Sequence, residues 1–582
     1  MRGRAARAVV LLLIVASAAG CASVPESSPV EVIRRISDGE DAAPPPGPAA
    51  DSNPLDLVRD FVTASGSSTD NHGVARRFLT SEAQSWDDTA SVTVLDGQID
   101  TIPAPSGPPG VRDPDATPTI TIRIRGNQIG RVTSSGSFEP ARQDFVADVD
   151  VVQRDGQWRI SALPAGVVIP LLIFKDNYRA VRTWFVDPTR RLVVPDIRYI
   201  PAVPARAQAA RVMDLLLAGP SGALQGAATT QFAQGVRLRS NVAVGPDNAH
   251  VVDLTRTGEL NDDERRLLAA QVVLSLAEVN VARVRLLVDG EPLVPGKTEW
   301  TRDDVAALSA ETQPRADVPA LVVTGGKVGD LNAPVPGSVL PGAFGNGSYF
   351  AESAASSLDG QRLAVVISTP PSRTLLLGGI AEGGRIEPVA LNPSTMSRPT
   401  WTPTGNEVWT VLDSSTVARV VLDNAGVVRT DRVNADELTT HGRITDMRLS
   451  RDGMRVAAVV AGRLYSAAVA RSVDGEVAIR NVRVLPPALG TVVGVDWRAS
   501  DSLVAITGGP EAAVVQVAAD GLQDTPVIRN NLTPPFKAIA AVPNRSMLVT
   551  DDSGIWSFSG GEQDAWRQVL GNARDAVPLY PG

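Results

Sequence analysis

A repeat near 45 residues long organises the C-terminal part of the chain. Turn signals stand at Gly360 (SLDGQRL), Gly405 (TPTGNEV), Gly453 (SRDGMRV), Asp501 (RASDSLV) and Arg545 (VPNRSML), spaced 45, 48, 48 and 44 residues apart. Three positions after each stands an aliphatic residue: Leu363, Val408, Val456, Val504 and Leu548. Four positions before stand Ser356, Trp401, Leu449, Trp497 and Ala541. A tight turn after one strand and a branched aliphatic residue opening the next, at this period, is the signature of β-propeller blades. One four-stranded blade cannot cover its own two faces. Stacking blades in a ring buries them and leaves few open edges. Residues 317–582 therefore predict an all-β propeller. At roughly 46 residues per blade this stretch accommodates about five or six.

The opposite end of the chain sets the compartment. Arg2, Arg4 and Arg7 precede the apolar run VVLLLIVASAAGC, Val9 to Cys21. A basic start, an apolar stretch too short for a comfortable span and a small-residue end describe an export signal. The sole cysteine follows Ala18-Ala19-Gly20 directly, the arrangement of a bacterial lipobox, with Ala18 standing where that pattern prefers Leu. The expected product of residues 1–20 being removed is a chain beginning at Cys21, carrying an S-diacylglyceryl group and an N-palmitoyl chain. With that thiol used, no disulfide, Cys metal site or Cys nucleophile is available. The formal charge of −9 becomes −12 once the three signal arginines are gone, which gives no electrostatic case for nucleic acid.

Three regions lie between. Residues 21–53, including ASVPESS and SDGEDAAPPPGPAADSNP, offer little to bury and read as a lipidated, disordered tether. Residues 54–170 read as an α+β domain. Asn53-Pro54 opens a helix through Leu55, Val58, Phe61 and Val62, and a short second helix carries Ala75, Phe78 and Leu79. The period then changes to two: TITIRIR alternates, Asp144 to Val152 alternates, and Asp155-Gly156 turns into a strand QWRI. Helices followed by a meander ending in DGQWRI resemble the NTF2-like fold.

Residues 171–300 read as a second α+β domain. A helix from Ala205 to Ala218 stops at Gly219-Pro220, and another opens at Asn261-Asp262-Asp263-Glu264 with Leu268, Val272, Leu276 and Val279 at four-residue steps. The strand Val281 to Val288 places Val284, Leu286 and Val288 on one face and turns at Asp289-Gly290. MDLLLAGPSGAL, GVRLRS, HVVDL, RRLLAAQVVLSLAEV and VARVRLLVDGEPL, in this order, resemble the GerMN module. That resemblance implies an envelope or protein-interaction role without a recognised active site.

Catalytic constellations are scarce. His72, His250 and His441 fall in three different domains, and HExxH, GxSxG and Walker A patterns are absent from the sequence. Gly325-Gly326, Gly378-Gly379, Gly508-Gly509 and Gly560-Gly561 read as blade turns. Asp446 and Asp496 stand seven and five residues before their turns, on inner strands where a central pocket would be lined. They are the carboxylates a propeller glycosidase would need, since such enzymes use a pair at fixed separation. Trp401 and Trp497 read as structural. No catalytic residue, cofactor or metal is assigned.

Lipobox, tether, NTF2-like domain, GerMN module and propeller, taken in order, are similar to the LpqB family of actinobacterial lipoproteins. The resemblance implies a non-enzymatic accessory protein of an MtrA–MtrB two-component system. It would sit on the outer face of the plasma membrane, held by lipid at Cys21, and contact the extracellular domain of an MtrB-like sensor histidine kinase. Cell-wall homeostasis and division would be the processes affected. The alternative is binding or hydrolysis of a cell-wall carbohydrate by the propeller, with a wall polymer as partner.

Overall fold

The computed structural model describes residues 47–105, 119–423, 426–472, 474–486, 489–509, 513–561 and 564–582. The signal sequence, Cys21 and most of the tether lie outside the described residues. Among the described residues no helix is long and apolar enough to cross a membrane.

The first helix, α1 (Pro54–Ser65), starts where Asn53 accepts from the backbone N–H of Leu55 and Asp56, at 2.9 and 3.0 Å. It buries Leu57, Val58, Phe61 and Val62 against a five-stranded sheet. The strands are β1 (Ser91–Pro103), β2 (Thr119–Thr133), β3 (Phe138–Arg154), β4 (Gln157–Ala162) and β5 (Val167–Pro170), in the order β4-β3-β2-β1-β5. Only β5 runs parallel to its neighbour β1. The second helix is shorter than the sequence suggests: α2 covers Gly73–Arg76 alone. Leu79 forms a bridge with Ile160, and Phe78 and Thr80 exchange backbone hydrogen bonds with the same residue. Pairing with β4 therefore draws this segment out of the helix, although Phe78 remains fully buried.

After α3 (Leu171–Asn177) a long hairpin opens the second domain: β6 (Tyr178–Asp187) and β7 (Leu192–Pro201). Helix α4 (Ala205–Leu217) ends before Gly219, which takes a φ of +85° that favours glycine. The short strands β8 (Arg237–Leu238) and β9 (Ala243–Val244) edge β10 (His250–Thr255), and β11 (Val284–Val288) pairs parallel to β10. The sheet ends with β12 (Glu291–Pro292). The crossover between β10 and β11 is α5 (Asp262–Ala277), opened by a reciprocal Asn261–Glu264 capping box. This helix is buried all round from Leu267 to Leu276, not on one stripe. The β6–β7 hairpin covers its far side. Gln271 donates to the Trp184 carbonyl at 3.0 Å, and the Trp184 N–H donates to Ser275 Oγ at 2.9 Å.

Six four-stranded antiparallel sheets follow. Their inner strands, Ala351–Ser356, Thr400–Trp401, Ile444–Leu449, Val492–Ala499, Ala538–Ala540 and Val577–Leu579, neighbour one another in sequence order, and the last lies against the first. The ring closes through a composite blade. Leu321–Thr324, Lys327–Asp330 and Ser338–Val339 come from the start of the domain, and Val577–Leu579 from its end pairs with Leu321–Val323. We count this composite as blade one. The repeat shows five turns for six blades because blade one has no chain link between its first two strands. The five aliphatic repeat positions are at most 4% exposed, and burial of each contributes about 1.5–3 kcal/mol.

Candidate functional site

Antiparallel strands alternate direction, so turns after the first and third strands of each blade lie at one end of the ring. Turns after the second strand, and the passages to the next blade, lie at the other. The first end is occupied by the chain's own domains. Arg455 Nη2 donates to the Pro195 carbonyl at 2.6 Å, and Arg190 donates to the Asp452 carbonyl. Asn481 Nδ2 donates to Gln225 O at 2.8 Å and Arg483 Nη1 to Phe138 O at 3.2 Å. Leu522 packs into the core of the first domain. The connecting segment follows the same end: Arg545 Nη1 donates to Val318 O at 2.7 Å, and Thr312 Oγ1 to Arg451 O at 2.7 Å. The opposite end carries the turns at Gly325-Gly326 and Ala461-Gly462 and two exposed apolar side chains, Phe350 (63%) and Val493 (39%).

The axis of the ring is a polar plug. Arg398 reaches across it, donating from Nη1 to Ile539 O at 2.9 Å and lying 3.8 Å from Asp496 Oδ2. Arg448 Nε stands 3.4 Å from Asp496 Oδ1, and Arg451 donates to Pro581 O and Ala541 O, both at 2.8 Å. Asp496 also accepts from the backbone N–H of Trp497 (2.9 Å) and Ala541 (3.2 Å). Burial pushes the Asp496 carboxyl up, but Arg448, Arg398 and Arg451 outweigh it and hold it below the usual carboxylate range. Burial, then repulsion from Arg398, pushes Arg448 down to about 10. Inward-facing carbonyls take up guanidinium donors of all three arginines, leaving Arg451 Nε buried without a partner, and this is what makes three cations around one anion tolerable.

Both sequence-nominated carboxylates are thus engaged in joining blades. Asp446 Oδ2 accepts from the N–H of Val495 on the neighbouring inner strand at 3.1 Å. A general acid needs a raised pKa, and Asp496 is shifted the other way. The tryptophans staple neighbouring blades: Trp401 Nε1 donates to Ala355 O at 3.1 Å, and Trp497 Nε1 to Arg448 O at 3.0 Å. Gly378-Gly379 ends a strand and does not form a turn.

The histidines stay apart. His72 is buried in the first domain, its Nε2 3.7 Å from Asp88, and burial holds its pKa below normal against the pull of that carboxylate. His250 lies in β10, also shifted down by burial. His441 is exposed and stacks on Tyr465 with ring centroids 4.8 Å apart. Among the described residues no three His, Cys, Asp or Glu side chains form a metal-binding group.

Comparison with known proteins follows this architecture. A family model described as "Lipoprotein LpqB, N-terminal domain" matches residues 47–175. One described as "Sporulation and spore germination" matches residues 182–294, and "Lipoprotein LpqB beta-propeller domain" matches residues 335–581. The chain is 32% identical to "Lipoprotein LpqB" of Rhodococcus opacus (strain B4), covering 100% of this chain and 99% of that one. It is 33% identical to the protein of that name from Nocardia farcinica (strain IFM 10152), over 100% and 98% of the two chains. Against that from Mycolicibacterium smegmatis the identity is 30%, over 99% of each.

Proposed function

The chain belongs to the LpqB family of actinobacterial lipoproteins, and on that premise we propose that it regulates an MtrB-like sensor histidine kinase through contact with the kinase's extracellular domain. As a family member it is a lipid-anchored protein of the extracytoplasmic face of the membrane. The anchor we assign to Cys21, acylated after cleavage behind Gly20. Two or more acyl chains give the stable attachment that one chain does not.

The observation that supports a contact role is the two-ended propeller. Its one end is covered by the N-terminal domains, while the other is a broad, rigid face with Phe350 and Val493 exposed. We assign the kinase contact to that open end. Confinement to one membrane surface raises the effective concentration, so a weak contact suffices if the tether spans the distance. To change kinase output the protein must bind the kinase's signalling states with unequal affinity.

Carbohydrate hydrolysis is the less favoured reading, because Asp446 and Asp496 are occupied by inter-blade hydrogen bonds and ion pairs. The test is binding of residues 22–582 to the purified extracellular domain of the kinase. Saturable binding weakened at least tenfold by Phe350→Asp supports the reading. No binding, or turnover of wall fragments lost in Asp496→Asn with the fold intact, counts against it.

A further inference from the structure

At the rim of the covered end lies a cleft of about 350 Å³, within the range of small-molecule pockets. Its walls come from two domains. Thr189 and Arg190, at the tip of the β6–β7 hairpin, face the turn at Thr402–Asn406 of blade three and Ser472 and Gly475 of blade four. Four guanidiniums line it: Arg190, Arg419, Arg429 and Arg471.

Their counter-charges are three carboxylates. Glu407 takes Arg471 in a two-pronged pair, both contacts at 3.0 Å, and accepts from Trp409 Nε1 at 3.0 Å. Asp431 is shared by Arg419 and Arg429, each at 3.0 Å, on a single oxygen. Asp187 holds Arg190. Among the side chains in ion-pair contact one guanidinium is in excess, while the exposed Asp474 and Glu476 flank Gly475 beside the cleft. Acceptors are short as well: Arg419 is 8% exposed, and its Nε is buried with no partner. Arg429 is the most exposed of the four, with a side chain 68% exposed and only half of a shared carboxylate. Glu407 stays ionised: burial raises its pKa, but Arg471, Trp409 and Arg419 together hold it below normal. Glu407 therefore keeps its negative charge and stays paired with Arg471 and Arg419.

We propose that this seam between the second domain and the propeller is a binding site for an oxyanion, a carboxylate or phosphate group, carried on a small polar molecule. Arg429 closes on the anion, and hydroxyl-bearing side chains such as Thr404 and Ser472 meet the polar remainder. Because Arg190 and Thr189 belong to the other domain, a bound anion bridges the two and stabilises their union. The inference does not depend on the kinase contact, which we assign to the other end of the ring.

The probes are glucuronate, glucose 6-phosphate, inorganic phosphate and neutral glucose, titrated calorimetrically into residues 22–582, with melting temperature as a second readout. Binding of the charged sugars, a raised melting temperature and no response to glucose are expected. Inorganic phosphate binding as tightly as the sugar phosphate would identify the free ion as the ligand; tighter sugar binding would identify a carried anion. Arg429→Glu should weaken binding at least tenfold and Arg429→Gln less. Arg463→Glu, exposed on the open end, should leave it unchanged. Charged sugars behaving like glucose, or full affinity in both folded Arg429 variants, would overturn the proposal.

Discussion

Two aspartates in the propeller, Asp496 buried and Asp520 half-buried, respond to their surroundings in opposite directions. Asp496 is depressed by three guanidiniums despite full burial, whereas Asp520 is raised, chiefly by burial, with its Oδ2 enclosed and unpartnered near Tyr199 and Arg483. For Asp496 the folded pKa lies below the unfolded value of about 3.9, so its stabilisation is present above that pH and is lost as pH falls through the folded value. Asp496→Asn should therefore cost about 3–5 kcal/mol at pH 7, the loss typical of breaking a buried ion pair, and progressively less under acid. For Asp520 the sign reverses. The folded state holds the proton more tightly, so ionisation destabilises the junction as pH rises above about 3.9. Asp520→Asn should gain about 1 kcal/mol at pH 7, and the gain should vanish below about pH 4. Urea melts of both variants across pH check the pair. An Asp496→Asn protein as stable as the parent at pH 7 would mean that the axial guanidiniums do not need their anion.

At the level of elements, sequence periodicity exposed whatever was built from one repeated constraint. The five blade turns and their aliphatic followers were readable because each blade needs a reversal and a buried branched side chain at the same offset. The composite blade was not countable, since its two halves stand at opposite ends of the domain. The β6–β7 hairpin was missed for a different reason. Thr183, Asp187, Asp196 and Arg198 are all at most 2% exposed there, so polar residues are buried and alternation fails. Arg198 and Asp196 pair with each other at 2.8 Å and bind the backbone of neighbouring segments, a tertiary solution that leaves no periodic trace. The closing strand gives a direct prediction. Deleting residues 577–582 removes the inner strand of blade one and leaves Leu321–Val323 with an open edge. The propeller should then lose its cooperative melt, whereas the N-terminal domains keep theirs; an unchanged single transition by calorimetry would contradict closure by that strand.

Across the whole molecule, the cover over one end of the ring is the reason we propose the other end for the partner. The excess of arginine around Glu407 was not visible in the sequence, because Arg190, Arg419, Arg429 and Arg471 come from three separate segments brought together by the docking of two domains. Cys21 lies outside the described residues, and its assignment as the anchor rests on the small residues that abut the sole cysteine. A Cys21→Ser protein should fold normally, leave the membrane fraction and lose its effect on kinase phosphorylation. Regulation persisting intact after that release would rule out co-confinement as the mechanism.

The central claim is that the open end of the propeller meets the kinase. A photo-crosslinking residue placed in living cells at position 350, on the open end, and separately at position 544, where Asn544 bonds Gln313 on the covered end, tests it most directly. The account predicts a covalent adduct with the kinase's extracellular domain from position 350 and none from position 544. Adducts from 544 alone, or none from 350 in a properly anchored protein, would contradict it.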